Sequence, residues 1–583
     1  MIFSFRLFAV SIACIILPFA NAISRADELV THRRRPIAVV PSADGAWLHV
    51  ANRDSGTISS IDLRTSQTVA ECKLGQRFSD LTTIPGSSRL LATDEAQHEL
   101  LLLEANGKNV SVLNRLPISP YPVSICVAPD SKLATIASLW SRRLTFVGLD
   151  QGGIKVRHVL DLPFAPRAQL LLPGCNQLLV ADAFGGKFAL VDPQTRQLVG
   201  EREIPGHNIR GLGVSPNGEM LLISHQMLND LAHSIRNDIH WGLLMSNDLR
   251  WLKVDSFVIG GDQIYRGGHM HPLGDAGRGG GDPGSLDVAA DGTVVVAISG
   301  VNEVAFGKEG DFSMQRLKVG RRPTAVKLSA DGRTAYIANT FDDSISILDL
   351  SQRRITATVA LGPAPELSLA QRGELLFYDA RLSHDGWMSC HSCHPDGHAN
   401  GQMNDNFSDH SFGAAKRVLS LLGVKDTLPL AWNGQVQSLE RQIHNSVENT
   451  MQREDTLPRE DVAAIAAYLK TLELPPPLDD LRGTRDAAAI ERGRLVFERH
   501  DCASCHAPPT YTVAGAFDVG LRDSQGVKEF NPPSLRGISH RGPYFHDNSA
   551  STLDDVFLKH RHPSDRPSTL NDLGDLLAFL GSL

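Results

Sequence analysis

Past Phe19 the 583-residue chain has no apolar run long enough to cross a bilayer, no block of lysines and arginines, and no methionine after Met451. A spanning helix needs about 20 apolar residues, so no membrane span is expected beyond the first residues. Nucleic acid is a poor partner for a chain of net charge -8 without basic clusters. Tryptophan is also scarce, with six residues in all. What is present, 42% hydrophobic and 21% charged residues, describes an ordinary globular chain. At about 150 residues per domain, this length suggests three to four domains.

The start, "MIFSFRLFAVSIACIILPFANA", places Arg6 before an apolar run that Pro18 breaks and ends on Ala20-Asn21-Ala22. That is the pattern of a secretory signal peptide over 1–22, and it predicts a periplasmic or secreted protein. Of eight cysteines, Cys14 leaves with the signal, and Cys390, Cys393, Cys502 and Cys505 form two C-x-x-C pairs. Cys72, Cys126 and Cys175 remain. One disulfide with a free thiol and three thiols are equally allowed.

The first part of the chain repeats. "RPIAVVPSADGAWLHVANRDSGTISSIDL" from Arg35 aligns without a gap with "RPTAVKLSADGRTAYIANTFDDSISILDL", 287 residues on at Arg322. Alternating apolar stretches flank an Asp-Gly turn in each copy, the pattern of short antiparallel strands joined by hairpins. Weaker copies between them bring the units to seven, mostly about 40 to 45 residues apart, the spacing of four-stranded propeller blades. These residues resemble the YVTN family of propellers. One long interval, about 226–282, holds His233, His240, His269 and His271 and ends in "GDAGRGGGDPG". It reads as a solvated loop or as a lid over a neighbouring redox site. A quinone cofactor carried by the propeller is disfavoured, because six tryptophans cannot supply a blade-by-blade pattern.

Near Pro363 the strand pattern gives way to helical spacing in "PELSLAQRGELLFYDARLS", and an Arg-Gly helix returns in "AAAIERGRLVFERHDCASCH". Each leads to C-x-x-C-H. The fold expected is therefore multidomain: an all-β seven-bladed propeller over 30–362, then two mainly α cytochrome c-like domains, 363–478 and 484–583, separated by the Pro-rich "LELPPPLDD". Structural zinc wants four closed ligands, and a thioredoxin-like dithiol wants a βαβ context that is missing. In c-type haem attachment both thiols bond the haem and the adjacent His supplies an iron ligand. His394 directly follows Cys393 and His506 directly follows Cys505, although only 22 of 583 residues are His. Two covalently bound haem c groups are the reading that fits. His391, inside the first pair, is expected at the surface.

"LLFYDARLSHDGWMSCHSCH", "LPLAWNGQVQSLERQIHNSVENTMQ" and "PPSLRGISHRGPYFHDNSASTLDDVFLKH" resemble the bacterial dihaem cytochrome c peroxidases and their MauG-type relatives. The resemblance implies a peroxidatic haem 1 on Cys390, Cys393 and His394, fed with electrons by haem 2 on Cys502, Cys505 and His506. Glu448 matches the family's catalytic glutamate, the acid-base group that would move the peroxide proton, and Trp432 matches the inter-haem tryptophan. His410 stands where peroxidases place a displaceable axial ligand, with His398 in reserve. His560 occupies the position of the distal ligand of haem 2, with His562 second and His546 as a supporting residue. No methionine follows Cys502, so a local His/Met haem is excluded, and His/His ligation lowers the potential relative to it. The resemblance also brings in a Ca2+ ion between the haem domains. The chain departs from the family where Trp432-Asn433-Gly434-Gln435 replaces W-D-G-R and loses a carboxylate–guanidinium pair.

The function expected is an exported peroxidase-like oxidoreductase that takes electrons from a small redox protein or other donor and reduces hydrogen peroxide or oxidises an unknown substrate. The alternative is a non-catalytic electron-transfer or redox-sensing protein with the propeller as its partner-binding module.

Overall fold

The structure, a computed structural model, describes residues 31–150, 153–407, 412–563 and 570–583. The expected signal peptide, 1–22, and His410 lie outside the described residues. Seven four-stranded antiparallel sheets follow one another, each in simple sequential strand order. The first runs Pro36–Pro41, Trp47–Asn52, Thr57–Asp62 and Gln67–Lys73, and the last Pro323–Leu328, Thr334–Asn339, Ser344–Asp349 and Arg354–Ala360. Every strand of the last blade lies 287 residues after its counterpart in the first, so the sequence repeat and the structural repeat share one register. Middle strands are buried on both faces because blades flank them, whereas the outermost strand Gln67–Lys73 is half-buried to exposed along its whole length.

The ring closes between its first and last blades. Val39, Leu48, Val50 and Ile61 share an apolar core with Tyr336, Ile345, Ile347 and Val359, each full burial of such a side chain contributing about 1.5–3 kcal/mol. Polar groups fix the seam: the Arg34 and Arg35 amides donate to the Asp343 carboxylate at 2.9 and 2.7 Å, and buried Arg34 pairs with Glu71 at 2.7 Å. Arg34 also donates to the Pro363 carbonyl at 2.9 Å, tying the seam to the start of the helical part.

The interval about 226–282 is part of the fifth blade rather than a detached loop. It supplies two of that blade's strands, Met245–Lys253 and His269–Pro272. Ala232, Ile239, Leu244 and Met245 join Phe377, Trp387, Ile443, Val447 and Ile465 in one hydrophobic core. The solvated-loop expectation is thus overturned, because this apolar face is buried against the first helical module. The glycine run is needed there: a Cβ on Gly279 would come within 2.5 Å of the Gly386 and Trp387 backbone.

The two helical modules repeat one crossing. Leu369–Phe377, started by a Ser368–Gln371 capping box, packs on Arg459–Leu469, and Ala487–Arg499, capped by Asp486, packs on Leu570–Gly581. The glycine of each Arg-Gly pair sits at the crossing. A Cβ on Gly373 would lie 1.8 Å from the Ala464 carbonyl oxygen, and one on Gly493 1.9 Å from that of Asp575. Gly373→Ala and Gly493→Ala should each destabilise their module by about 1–3 kcal/mol through overpacking. Thermal unfolding checks this, and an unchanged midpoint would contradict the crossing.

Candidate functional site

The first Cys-x-x-Cys-His segment forms a short helix, Cys390–Cys393, laid against the propeller. Its two intervening residues face the blades. The Ser392 hydroxyl donates to Asp282 Oδ1 and the Ser389 hydroxyl to Asp282 Oδ2, both at 2.6 Å, while Gln226 donates to Ser392 Oγ at 3.1 Å. His207 Nε2 reaches the Ser392 carbonyl at 2.9 Å. Asp396, just beyond, meets Arg167 and, at 3.1 Å, Arg210. Asn208, Asp282 and Arg322 hold left-handed φ values of 51°, 56° and 51° at the mouths of their blades, a strained backbone that packing maintains.

His391 is 2% exposed, not a surface residue. Its ring packs 4.7 Å from that of Tyr378 and its Nδ1 accepts from the Asp396 amide at 3.0 Å. Burial, with Arg210 and Arg322 nearby, holds it neutral, well below its ordinary range. His398 is no reserve ligand either. Its Nδ1 is engaged by Ser420 Oγ and its Nε2 by the His540 carbonyl, each at 3.0 Å, beneath Phe184 and Trp140.

The reactive side of the segment faces inward. Cys390, Cys393 and His394 line a cavity of about 1050 Å³ that Cys502, Cys505 and His506 also line, with Trp432, His546 and His562 on its wall. Burial pushes both Cys390 and Cys393 up to about 12. Desolvation thus disfavours the thiolate that a dithiol switch uses. Among the described residues, the group of three His, Cys, Asp or Glu donors within 4.8 Å of one another is His240, His384 and Asp385, so neither cysteine pair forms a closed zinc knuckle.

The lining suits haem. His394 is held neutral, near 4, by burial, the form that offers a lone pair to a metal. His506 Nδ1 is oriented by the Tyr511 carbonyl at 3.2 Å. Two arginines on the wall, buried Arg417 and half-buried Arg541, have buried Nε groups without hydrogen-bond partners, and desolvation lowers both to about 10. A cationic wall in an apolar cavity fits an anionic ligand such as a porphyrin with propionate groups. Where the residues fit haem, Cys390, Cys393, Cys502 and Cys505 would bond it and His394 and His506 would bind its iron.

The remaining expected residues separate. Trp432 lines the cavity, its indole N–H donating to the Arg417 carbonyl at 2.9 Å and its ring 6.3 Å from that of His546. His546 is buried and stacked on Phe530 at 4.2 Å. His562, not His560, reaches the cavity. His562 is held near 4 by burial and by His506, whereas His560 Nε2 is engaged by the Ser549 carbonyl at 3.1 Å outside it. Glu448 sits on a π-helical turn, Asn445–Thr450, a geometry frequent at functional sites. Val447 and Asn449 line the cavity, but the Glu448 carboxylate pairs with His444 at 3.4 Å at its edge. Sequence reasoning missed Arg417 and Arg541, which carry no local motif, and Ser392, which fills a variable position of the C-x-x-C pair.

The two sites differ in cover. The propeller seals the first, while Asp501 and Ser504 of the second are exposed.

Residues 368–482 match the family model described as di-haem cytochrome c peroxidase. Methylamine utilization protein MauG of Methylophilus methylotrophus is 27% identical over 285 residues, 38% of this chain and 85% of that protein. Cytochrome c551 peroxidase of Nitrosomonas europaea is 24% identical over 316 residues, 41% of this chain and 90% of that protein. A solved structure of Kuenenia stuttgartiensis hydrazine synthase aligns over 56% of this chain and 98% of its own at 17% identity, with a TM-score of 0.48. The helical region is thus similar in sequence to dihaem cytochrome c peroxidases and MauG proteins.

Intact-mass analysis of the mature protein should find two haem additions. The C390A/C393A and C502A/C505A variants should each retain one, and an unchanged mass in either would remove that pair from the haem sites.

Proposed function

We propose that the chain is an exported dihaem peroxidase-like oxidoreductase, with a first haem unit over 363–478 and a second over 484–583. Electrons enter at the second unit and are used at the first. The observation that carries this is the single cavity lined by both Cys-x-x-Cys-His sites, with one site sealed by the propeller and the other near the surface. Haem c, once attached, would supply redox-active iron for electron transfer and peroxide activation.

The chain's own residues position and protonate. Trp432, beside His546, lies on the path between the two sites. Arg417 and Arg541 hold the anionic groups of the ligand. Glu448, paired with His444, carries the proton that turns the departing peroxide oxygen into water. His562, in preference to His560, would add a second histidine ligand at the second site, and His410 would do so at the first. A small redox protein serves as donor at the exposed Ser504 edge, and hydrogen peroxide or an organic or protein substrate is the target. A Ca2+ ion between the units, a hard cation with oxygen ligands, belongs to the same reading. The N-terminal signal would direct the protein to the periplasm or beyond, and no helix among the described residues is long and apolar enough to cross a membrane.

One observation favours the second reading, an electron-transfer or sensing protein: Glu448 is not among the cavity-lining residues. Stopped-flow mixing of the half-reduced protein with hydrogen peroxide separates the two, peroxide consumption being expected. Glu448→Gln should slow turnover by about a hundredfold or more while both haems stay bound. No consumption by the parent protein would leave only the electron-transfer reading. At the second site, His562→Ala should give a high-spin ferric spectrum and His560→Ala should not; the reverse result would restore His560 as the ligand.

A further inference from the structure

We propose that His240, His384 and Asp385 form a binding site for a borderline divalent transition-metal ion such as Zn2+, bridging the fifth blade of the propeller and the segment that leads into Cys390. The site is separate from the haem cavity, and none of its three side chains lines that cavity.

The three donor atoms all lie within 4.8 Å of one another. His240 Nδ1 stands 2.8 Å and His384 Nε2 3.4 Å from the same Asp385 oxygen, Oδ2. Tetrahedral Zn2+ with bonds of about 2.0–2.2 Å sets its ligand atoms about 3.3–3.6 Å apart, so small side-chain movements would complete the shell. Two imidazoles and one carboxylate suit Zn2+, whereas Ca2+ and Mg2+ take all-oxygen sets. The other nitrogen of His384, Nδ1, faces Glu454 Oε1 at 3.7 Å. A carboxylate behind a ligating histidine is the arrangement that orients the ring and raises its basicity.

Backbone on both sides holds the ligands in place. His240 ends the helix Arg236–His240, which buried Ile239 anchors in the shared core. Asp385 adopts a left-handed φ of 58°, held by the Gly279 amide donating to its carbonyl at 2.7 Å and by the Gly281 amide donating to Gly386 at 3.1 Å. His240 is about two-fifths exposed, with 41% of its side chain accessible. That leaves a fourth position for water, the open form of a three-ligand site. A bound ion would clamp the blade-five segment to the first helical module.

The test uses the mature, haem-loaded protein without a histidine tag, stripped of adventitious metal with a chelator and titrated with Zn2+ by calorimetry. One equivalent should bind, at least tenfold more tightly than to His240→Ala, and Zn2+ should raise the thermal midpoint of the parent but not of the variant. Asp385→Asn provides a second variant that keeps the side-chain shape, and unchanged haem absorption confirms that both remain folded. Failure of the parent to bind one equivalent, or equal binding by His240→Ala and Asp385→Asn, would overturn the proposal. Neither result bears on the peroxidase reading, which rests on the other cavity.

Discussion

A single buried carboxylate organises how the two halves of this molecule meet. Asp282 is 2% exposed, and burial raises its pKa above the ordinary carboxylate value. A carboxylate in such a place costs several kcal/mol unless donors satisfy it. The hydroxyls of Ser389 and Ser392 do so. Because these serines flank and interrupt the first cysteine pair, satisfying Asp282 sets the rotation of the Cys390–Cys393 turn. One side of that turn, His391 and Ser392, is committed to the propeller. The other, Cys390, Cys393 and His394, is left to the cavity.

The remaining contacts elaborate that constraint. Asp396 answers the arginines of blades four and five, and Arg322 lies 3.5 Å over the Tyr378 ring. The blade-five segment extends the same surface by lending its apolar residues to the core of the first module. The second module has the same glycine crossing, and Ser504 of its Cys502–Ser504 turn is exposed. Two units of similar build thus acquire different settings, one held against the propeller and one with exposed residues at its cysteine turn. The propeller creates that asymmetry by where it docks.

Much of this was legible from residues alone. The blade register followed from the Arg-Pro and Asp-Gly repeats, since hairpin turns need those residue types at fixed offsets. The paired modules followed from Arg-Gly helices leading to C-x-x-C-H, although the reason for the glycine, a backbone carbonyl under 2 Å from any Cβ, lies in a partner helix about 80 to 90 residues away in chain order. His391 was misplaced because burial depends on what packs against a turn, not on the turn's own sequence. His560 and His562 are two positions apart and chemically alike. Only the path of the chain after Leu553–Leu558 decides which one turns inward. Arg417 and Arg541 left no trace, being single arginines among 57 basic residues.

What the sequence determined by itself is therefore local and covalent: where strands turn, where helices begin, and which cysteines and histidines stand close enough along the chain to share one haem. What only the tertiary structure decided is environment: which face of each turn is buried, which thiols are held protonated, which histidines keep a nitrogen free, and where Glu448 stands relative to the cavity. The physical reason is the range of the interactions. Turn, cap and attachment chemistry acts over a few residues, while desolvation and charge pairing depend on groups brought together from hundreds of residues apart.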